Sequence, residues 1–72
     1  MSEWDAGRTP PLWPPRKQGN WLVRLEGGRW LVVFRPLLGD RDEVIASYPG
    51  DQAGERAAKE HAIRLVREAW QW

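Results

Sequence analysis

Two adjacent glycines, Gly27 and Gly28, divide the stretch GNWLVRLEGGRWLVVFRP (residues 19–36) into two runs rich in β-branched and aromatic residues. Glycine adopts the positive φ angles of a two-residue hairpin turn without steric cost. The pattern therefore predicts an antiparallel hairpin over residues 20–35. The turn also sets the register of the two strands: Glu26 faces Arg29, Leu25 faces Trp30, Arg24 faces Leu31, Val23 faces Val32, Leu22 faces Val33 and Trp21 faces Phe34.

The predicted hairpin has two different faces, because side chains alternate across a strand. One face is wholly apolar and is expected to form the core: Trp21, Val23, Leu25, Trp30, Val32 and Phe34. The other, which we call the mixed face, carries Leu22, Arg24, Glu26, Arg29, Leu31, Val33 and Arg35. A small domain needs only one apolar sheet face for its core, so the aliphatic side chains of the mixed face require a separate explanation.

A third strand is predicted at residues 43–48, where β-branched and aromatic residues follow the turn-forming segment LLGDRD. Alternation in this strand predicts the following placement: Val44, Ala46 and Tyr48 on the core side, and Glu43, Ile45 and Ser47 on the mixed face. Three strands with one covered face are enough for independent stability.

A helix is predicted from Asp51, a favourable N-cap residue, to about Trp70. Small residues at positions 54, 58 and 62 lie on its apolar stripe and permit a close approach to the aromatic side chains of the sheet. The predicted fold class is therefore α+β: a three-stranded antiparallel sheet with one C-terminal helix packed on one face.

Residues 1–18, MSEWDAGRTPPLWPPRKQ, are expected to form a flexible or extended proline-rich arm, with the folded domain at residues 19–72. Residues 1–9 are expected to be a loose tail. Prolines on both sides of Trp13 hold its indole at low entropic cost, so this ring either covers an open side of the domain or anchors a partner. Arg16 completes a Pro-x-x-Pro-x-Arg pattern of the kind found in peptide ligands, although so short a pattern arises often by chance.

The composition describes a single small domain without covalent support. The 72 residues include no cysteine and six tryptophans, and the formal net charge is +1. No disulfide is possible, and no metal or other cofactor is expected, so aromatic side chains must contribute much of the core. The N-terminus lacks the basic start and apolar run of a signal peptide, and no apolar run reaches membrane-spanning length, so we expect a cytoplasmic protein.

No catalytic arrangement is expected. The available hydroxyl groups are those of Ser2, Thr9 and Ser47, and the sole histidine, His61, lies on the predicted helix while Ser47 points away from it. A serine nucleophile and its base therefore cannot meet at hydrogen-bond distance. The segment PGDQAG before the helix also lacks the lysine of a phosphate-binding loop and the glycine spacing of a dinucleotide site.

The mixed face is instead interpreted as a binding surface. An aliphatic centre surrounded by arginines is typical of protein interfaces, and tryptophan and arginine are common anchors there. The predicted partner-binding residues are Trp13, Arg16, Leu22, Arg24, Arg29, Leu31, Val33 and Arg35. The alternative is that the arm folds back and places Trp13 over this face, which would leave no spare surface.

The GGRW hairpin, a third strand ending in an aromatic residue, and the alanine-rich segment SYPGDQAGERAAKEHA together resemble the arm-binding (AP2-like) domains of phage-type integrases. The pattern over residues 19–69 is also similar to small β-β-β-α modules of phages and bacteria. The resemblance implies that the exposed sheet face lies in a DNA major groove, with Arg24, Arg29 and Arg35 contacting bases and phosphates. This sequence has a less basic and more aliphatic sheet than the family.

Two functions follow as expectations. The first is a non-enzymatic regulator or inhibitor of a phage or mobile-element type, docking on a larger host protein such as transcription or nuclease machinery. The alternative is a DNA-binding module that uses the mixed face, with an affinity that falls with salt. The chain is expected to be a monomer, or a homodimer formed by burying two mixed faces against each other.

Overall fold

One antiparallel sheet and one long helix make up the two layers of the protein. The computed structural model describes residues 3–71. The elements are β1 (Trp4–Arg8), a short 3-10 turn (Pro15–Lys17), β2 (Gly19–Glu26), β3 (Arg29–Pro36), β4 (Glu43–Pro49) and α1 (Gln52–Ala69). Neighbouring strands pair in the order β1-β2-β3-β4. The predicted α+β class, with a C-terminal helix packed on one face of an antiparallel sheet, is confirmed. Ser2, named above as a hydroxyl, lies outside the described residues.

The sheet has four strands rather than the three predicted, because residues 4–8 pair with β2. Trp4 and Ala6 of this strand pack against the buried core. The ammonium of Lys59, on α1, lies 5.3 Å from the centroid of the Trp4 ring. Partial burial of the indole and backbone pairing with β2 together stabilise β1. The prediction of a loose tail is therefore wrong for residues 4–8.

The hairpin of β2 and β3 has the predicted register, from Glu26 opposite Arg29 to Trp21 opposite Phe34. Gly27 and Gly28 have φ angles of 60° and 75°. Both angles lie in the left-handed region that glycine adopts most easily, which is why this pair forms the turn.

A β-bulge at Ile45 places Val44 on the opposite side of the sheet from that predicted. Val32 pairs with Ala46, but the next residue of β3, Val33, pairs with Val44, so Ile45 is an extra residue in β4. Val44 therefore shares the mixed face with Val33, because one inserted residue shifts the alternation of the strand.

The core lies between the sheet and α1. Its centre consists of four buried residues: Val23, Val32, Ala58 and Ala62. Trp21 is also buried, and its ring lies 5.3 Å from that of Phe34, centroid to centroid. Leu25 was predicted to be in the core but is exposed. The described pairing of β1 begins at Trp4, opposite Val23, and so β1 does not flank Leu25.

The helix α1 begins as predicted. Asp51 is its N-cap, and the Asp51 carboxylate accepts a hydrogen bond of 2.7 Å from the backbone N–H of Gly54. A Cβ atom on Gly54 would lie 1.6 Å from the carbonyl oxygen of Pro49, so only glycine permits this close approach of the first helical turn to β4. No helix in the described residues has the length and apolar character needed to cross a membrane.

Candidate partner-binding surface

Four charged side chains form a network on the mixed face, which we call the ionic cluster: Glu3, Arg24, Arg35 and Asp42. Asp42 accepts hydrogen bonds from Nη1 of Arg24 at 2.7 Å, and from Nε and Nη2 of Arg35 at 2.9 Å each. Glu3 accepts from both terminal nitrogens of Arg35, at 3.0 and 2.7 Å, and from Nη1 of Arg24 at 3.3 Å. Each carboxylate therefore bridges both guanidinium groups.

The ionic cluster spans the aliphatic centre of the mixed face. Leu22 and Val33 are paired across β2 and β3, and they lie between Arg24 and Arg35 in the register. The two carboxylates reach the arginines from opposite edges of the sheet. Glu3 lies just before the edge strand β1, and Asp42 lies just before the edge strand β4. Leu22 is 5% exposed and Val33 is 0% exposed. Leu22 and Val33, two of the aliphatic residues predicted for contact with a partner, are thus already buried within the chain itself, whereas Leu31 is only half-buried.

The charges of this cluster compensate one another. The hydrogen bond from Arg35 lowers the pKa of Asp42 and also that of Glu3, and Arg24 reinforces both effects. The hydrogen bond to Asp42 in turn raises the pKa of each arginine. Two cations and two anions are therefore present at neutral pH, and little positive charge remains free for a phosphate.

The other predicted contact residues are more dispersed. Arg29 is exposed near the hairpin turn, and its Nε donates a hydrogen bond to the hydroxyl of Ser47. Leu31, which pairs with Ser47 across β3 and β4, is half-buried. Trp13, also half-buried, and Arg16, which is exposed, lie in the loop between β1 and β2. The mixed face thus brings together the predicted residues of β2 and β3, whereas Trp13 and Arg16 belong to the loop between β1 and β2.

The loop that carries Trp13, residues 10–18, is closed by hydrogen bonds at its base. Thr9 donates its backbone N–H to the carbonyl of Gly19 at 2.9 Å, and its hydroxyl accepts from the N–H of Gly19 at 3.1 Å. Inside the loop, the Gln18 amide donates to the carbonyls of Pro11 at 3.0 Å and of Trp13 at 2.6 Å. A loop whose ends meet and whose interior is bonded in this way presents a defined surface.

A second loop, residues 37–42, lies directly beside the first. The backbone N–H of Leu37 donates to the carbonyl of Gln18 at 2.8 Å. Three leucines on the two loops are exposed: Leu12 by 85%, Leu38 by 71% and Leu37 by 65%. These are the largest exposed fractions among the large hydrophobic side chains of residues 3–71. We call this region, residues 10–18 together with 37–42, the leucine end.

A small cleft of about 100 Å³ adjoins the leucine end. It is lined by Arg8, Thr9, Pro11, Gln18, Gly19, Asn20 and Leu37. Four exposed cations stand in or next to these loops: Arg8, Arg16, Lys17 and Arg41. Within residues 3–71 none of the four forms an ion pair, so their charges are open to a binding partner.

The three leucines were missed by the sequence-based prediction. It interpreted PPLWPP as an extended proline-rich segment and LLGDRD as a turn-forming connection, and it named none of their leucines as contact residues. The available signal was the presence of leucine inside such turn-forming segments. These segments interrupt helices and strands, so no periodicity directs their side chains into the core.

The described residues give no indication of a metal site: residues 3–71 contain no group of three or more histidine, aspartate or glutamate side chains arranged to hold an ion. The ionic cluster is built instead from two carboxylates and two guanidinium groups. Comparison with known proteins adds no family: neither a family model, nor a curated protein, nor a solved structure matches this chain.

Proposed function

We propose that this chain is a small non-enzymatic binding protein that docks on a larger protein and regulates it, and that the leucine end is the contact surface. The observation that carries the proposal is the position of Leu12, Leu37 and Leu38. The three most exposed large hydrophobic side chains of the described residues lie at one end of the molecule, on two loops joined by a backbone hydrogen bond.

The energetic argument rests on the area that these leucines leave in water. Single exposed aliphatic side chains are ordinary, but a group of them on adjacent loops marks an interaction site. Full burial of a leucine side chain is worth about 1.5–3 kcal/mol. Three such side chains can therefore supply a large part of the free energy of a specific complex, after the cost of association is met.

The hydrogen bonds of the leucine end support the same proposal. Gln18 fixes the loop of Leu12 through the Pro11 and Trp13 carbonyls, and its own carbonyl fixes the loop of Leu37. A surface that is ordered before binding loses less conformational entropy in the complex. Trp13 and Arg16, two of the contact residues predicted from sequence, belong to this region.

DNA binding through the mixed face, the alternative function, is less well supported. Arg24 and Arg35 are engaged by Glu3 and Asp42, and a phosphate would have to displace a carboxylate from each. An electrophoretic shift assay at low salt checks this point. A shift that is lost on Arg24→Ala would support the alternative.

Site-specific photo-crosslinking tests the proposed function. A photoreactive residue is placed at position 12, at position 38, or at the exposed helical position Arg64 as control. We expect the same partner protein to be crosslinked from positions 12 and 38 and not from position 64. The partner so identified should then bind the purified chain more weakly when Leu12 and Leu38 are both serine. Equal adducts from all three positions, or none from 12 and 38, would overturn the proposal.

A further inference from the structure

The charge around the exposed leucines is unevenly distributed. Arg16 and Lys17 are in the same loop as Leu12, and Arg41 follows the leucine pair in the second loop. All three are exposed, and Asp40 is the one exposed acid in these two loops that takes no part in the ionic cluster. Asp42 is engaged by Arg24 and Arg35. The leucine end is thus an apolar surface with a cationic border.

We infer that the partner's binding site is an apolar groove bordered by carboxylates, which receives the exposed leucines while its acidic rim faces Arg16, Lys17 and Arg41. This inference rests on the proposed function and specifies the chemistry of the partner. Opposite charges around an apolar centre are the arrangement that gives a protein complex its orientation and its association rate.

An anionic membrane surface would also attract leucines and cations, but the shape of the leucine end favours a protein. The cleft beside Leu37 is concave, and Arg8 and Asn20 are among the residues that line it. An acidic side chain that projects from a protein can enter such a cleft, whereas the surface of a membrane does not project into it. Asp40 and Glu43 are exposed near the leucines and would be repelled by anionic headgroups.

The two components of the surface should act on different rate constants. Charges at the border of an interface mainly change the association rate and its dependence on salt. Buried apolar contacts mainly change the dissociation rate. Reversal of charge at Arg16 and Lys17 is therefore expected to slow association and to flatten its salt dependence, while serine at Leu12 and Leu38 is expected to speed dissociation.

The test is a selection of random peptides on phage against the full-length chain, with the Leu12→Ser/Leu38→Ser variant used to remove peptides that bind elsewhere. We expect selected peptides to alternate apolar residues with aspartate and glutamate. Their affinity should fall roughly tenfold or more in the Arg16→Glu/Lys17→Glu variant. The control is Arg56→Glu/Arg64→Glu, which changes the net charge equally on the exposed side of α1 and should leave the affinity unchanged.

The outcomes separate this inference from the proposed function. Peptides without acidic residues, the absence of enrichment, or equal weakening by the control would overturn the inference, while the crosslinks from positions 12 and 38 would still support protein docking. Sedimentation with phosphatidylcholine vesicles, with and without phosphatidylserine, forms the second arm. Binding to the anionic vesicles that is lost in the Leu12→Ser/Leu38→Ser variant would also overturn the inference, in favour of a membrane surface.

Discussion

Leu37 donates its backbone N–H to the carbonyl of Gln18 over 2.8 Å, and this bond joins the two loops of the leucine end. Through its side-chain amide, Gln18 also holds the carbonyls of Pro11 and Trp13. Gln18, the residue just before β2, therefore holds its own loop together and joins it to the loop of Leu37. The proposed contact surface depends on the order that these bonds impose.

Replacement of Gln18 by alanine should loosen the leucine end without unfolding the protein. The variant loses two side-chain hydrogen bonds, each worth about 0.5–1.5 kcal/mol. We expect a modest fall in the free energy of unfolding. We also expect amide hydrogen exchange in residues 10–18 to be faster than in the parent protein, with exchange in β3 little changed. Urea unfolding and exchange measured by NMR check both effects.

Gln71→Ala is the matched control, because Gln71 is an exposed glutamine near the other end of the chain whose side chain makes no hydrogen bond within residues 3–71. It should leave both measurements unchanged. If Gln18→Ala were equally silent, the loop would not owe its order to this amide.

The Leu12→Ser/Leu38→Ser variant should keep the stability of the parent protein. Both side chains are exposed, and substitutions at such positions usually change the free energy of unfolding by less than about 0.5 kcal/mol. Leu65→Ser, in contrast, should be clearly destabilising because Leu65 packs against the core. Thermal unfolding followed by tryptophan fluorescence measures the difference. A large loss of stability in the double variant would mean that these leucines have a structural role.

Stability should fall as the pH is lowered through the titration range of the ionic cluster. Hydrogen bonds from Arg35 lower the pKa of Asp42 and of Glu3 in the folded protein. Between the folded and unfolded pKa values the unfolded chain binds more protons, so acid favours unfolding there. The contribution is complete above the unfolded value of about 4 and is lost progressively at lower pH. Salt should weaken it, because these groups are partly exposed.

Asp42→Asn isolates the part played by Asp42. We expect the variant to be less stable than the parent at neutral pH, and the difference in midpoint of thermal unfolding to close as the pH falls, because a protonated carboxyl resembles the amide. Asp40→Asn in the same loop removes an acid that forms no ion pair within residues 3–71, and it should show no such convergence. A constant difference for Asp42→Asn across the pH range would show that the cluster is not the acid-sensitive element.

The hairpin and the helix could be predicted because their signals are local. Gly27 and Gly28 determine the turn, the turn sets the pairing, and Asp51 marks the start of α1. The face of Val23 and Val32 was therefore assigned correctly to the core. Such elements follow from the residues that form them, with little dependence on the rest of the chain.

β1 and the bulge at Ile45 were not predicted, because neither has a strong local signal. The sequence of β1, Trp-Asp-Ala-Gly-Arg, is short and contains a glycine, and its stability comes from the core and from the edge of β2. The bulge depends on how β4 meets β3, and one extra residue was enough to move Val44 to the mixed face. Tertiary contacts decided both features.

The candidate surface was predicted only in part for a related reason. Arg24 and Arg35 were expected on the mixed face and are there, but their partners Glu3 and Asp42 come from distant segments. Because the sequence does not reveal those partners, the arginines were interpreted as unpaired and the aliphatic residues between them as accessible to a partner. Leu12 and the leucine pair at 37–38 become visible as a group only when the fold brings their loops together.

Trp4→Ala should be among the more destabilising substitutions in the N-terminal segment, although the sequence alone places it in a tail. The Trp4 indole packs against the core and lies under the ammonium of Lys59. Truncation of a fully buried tryptophan costs about 3–5 kcal/mol, and the partial burial of Trp4 reduces this to about 1–3 kcal/mol. Urea unfolding measures the loss, with Leu12→Ala as the control in the same segment because its side chain is 85% exposed. Equal stability of the two variants would mean that β1 does not contribute to the core in solution.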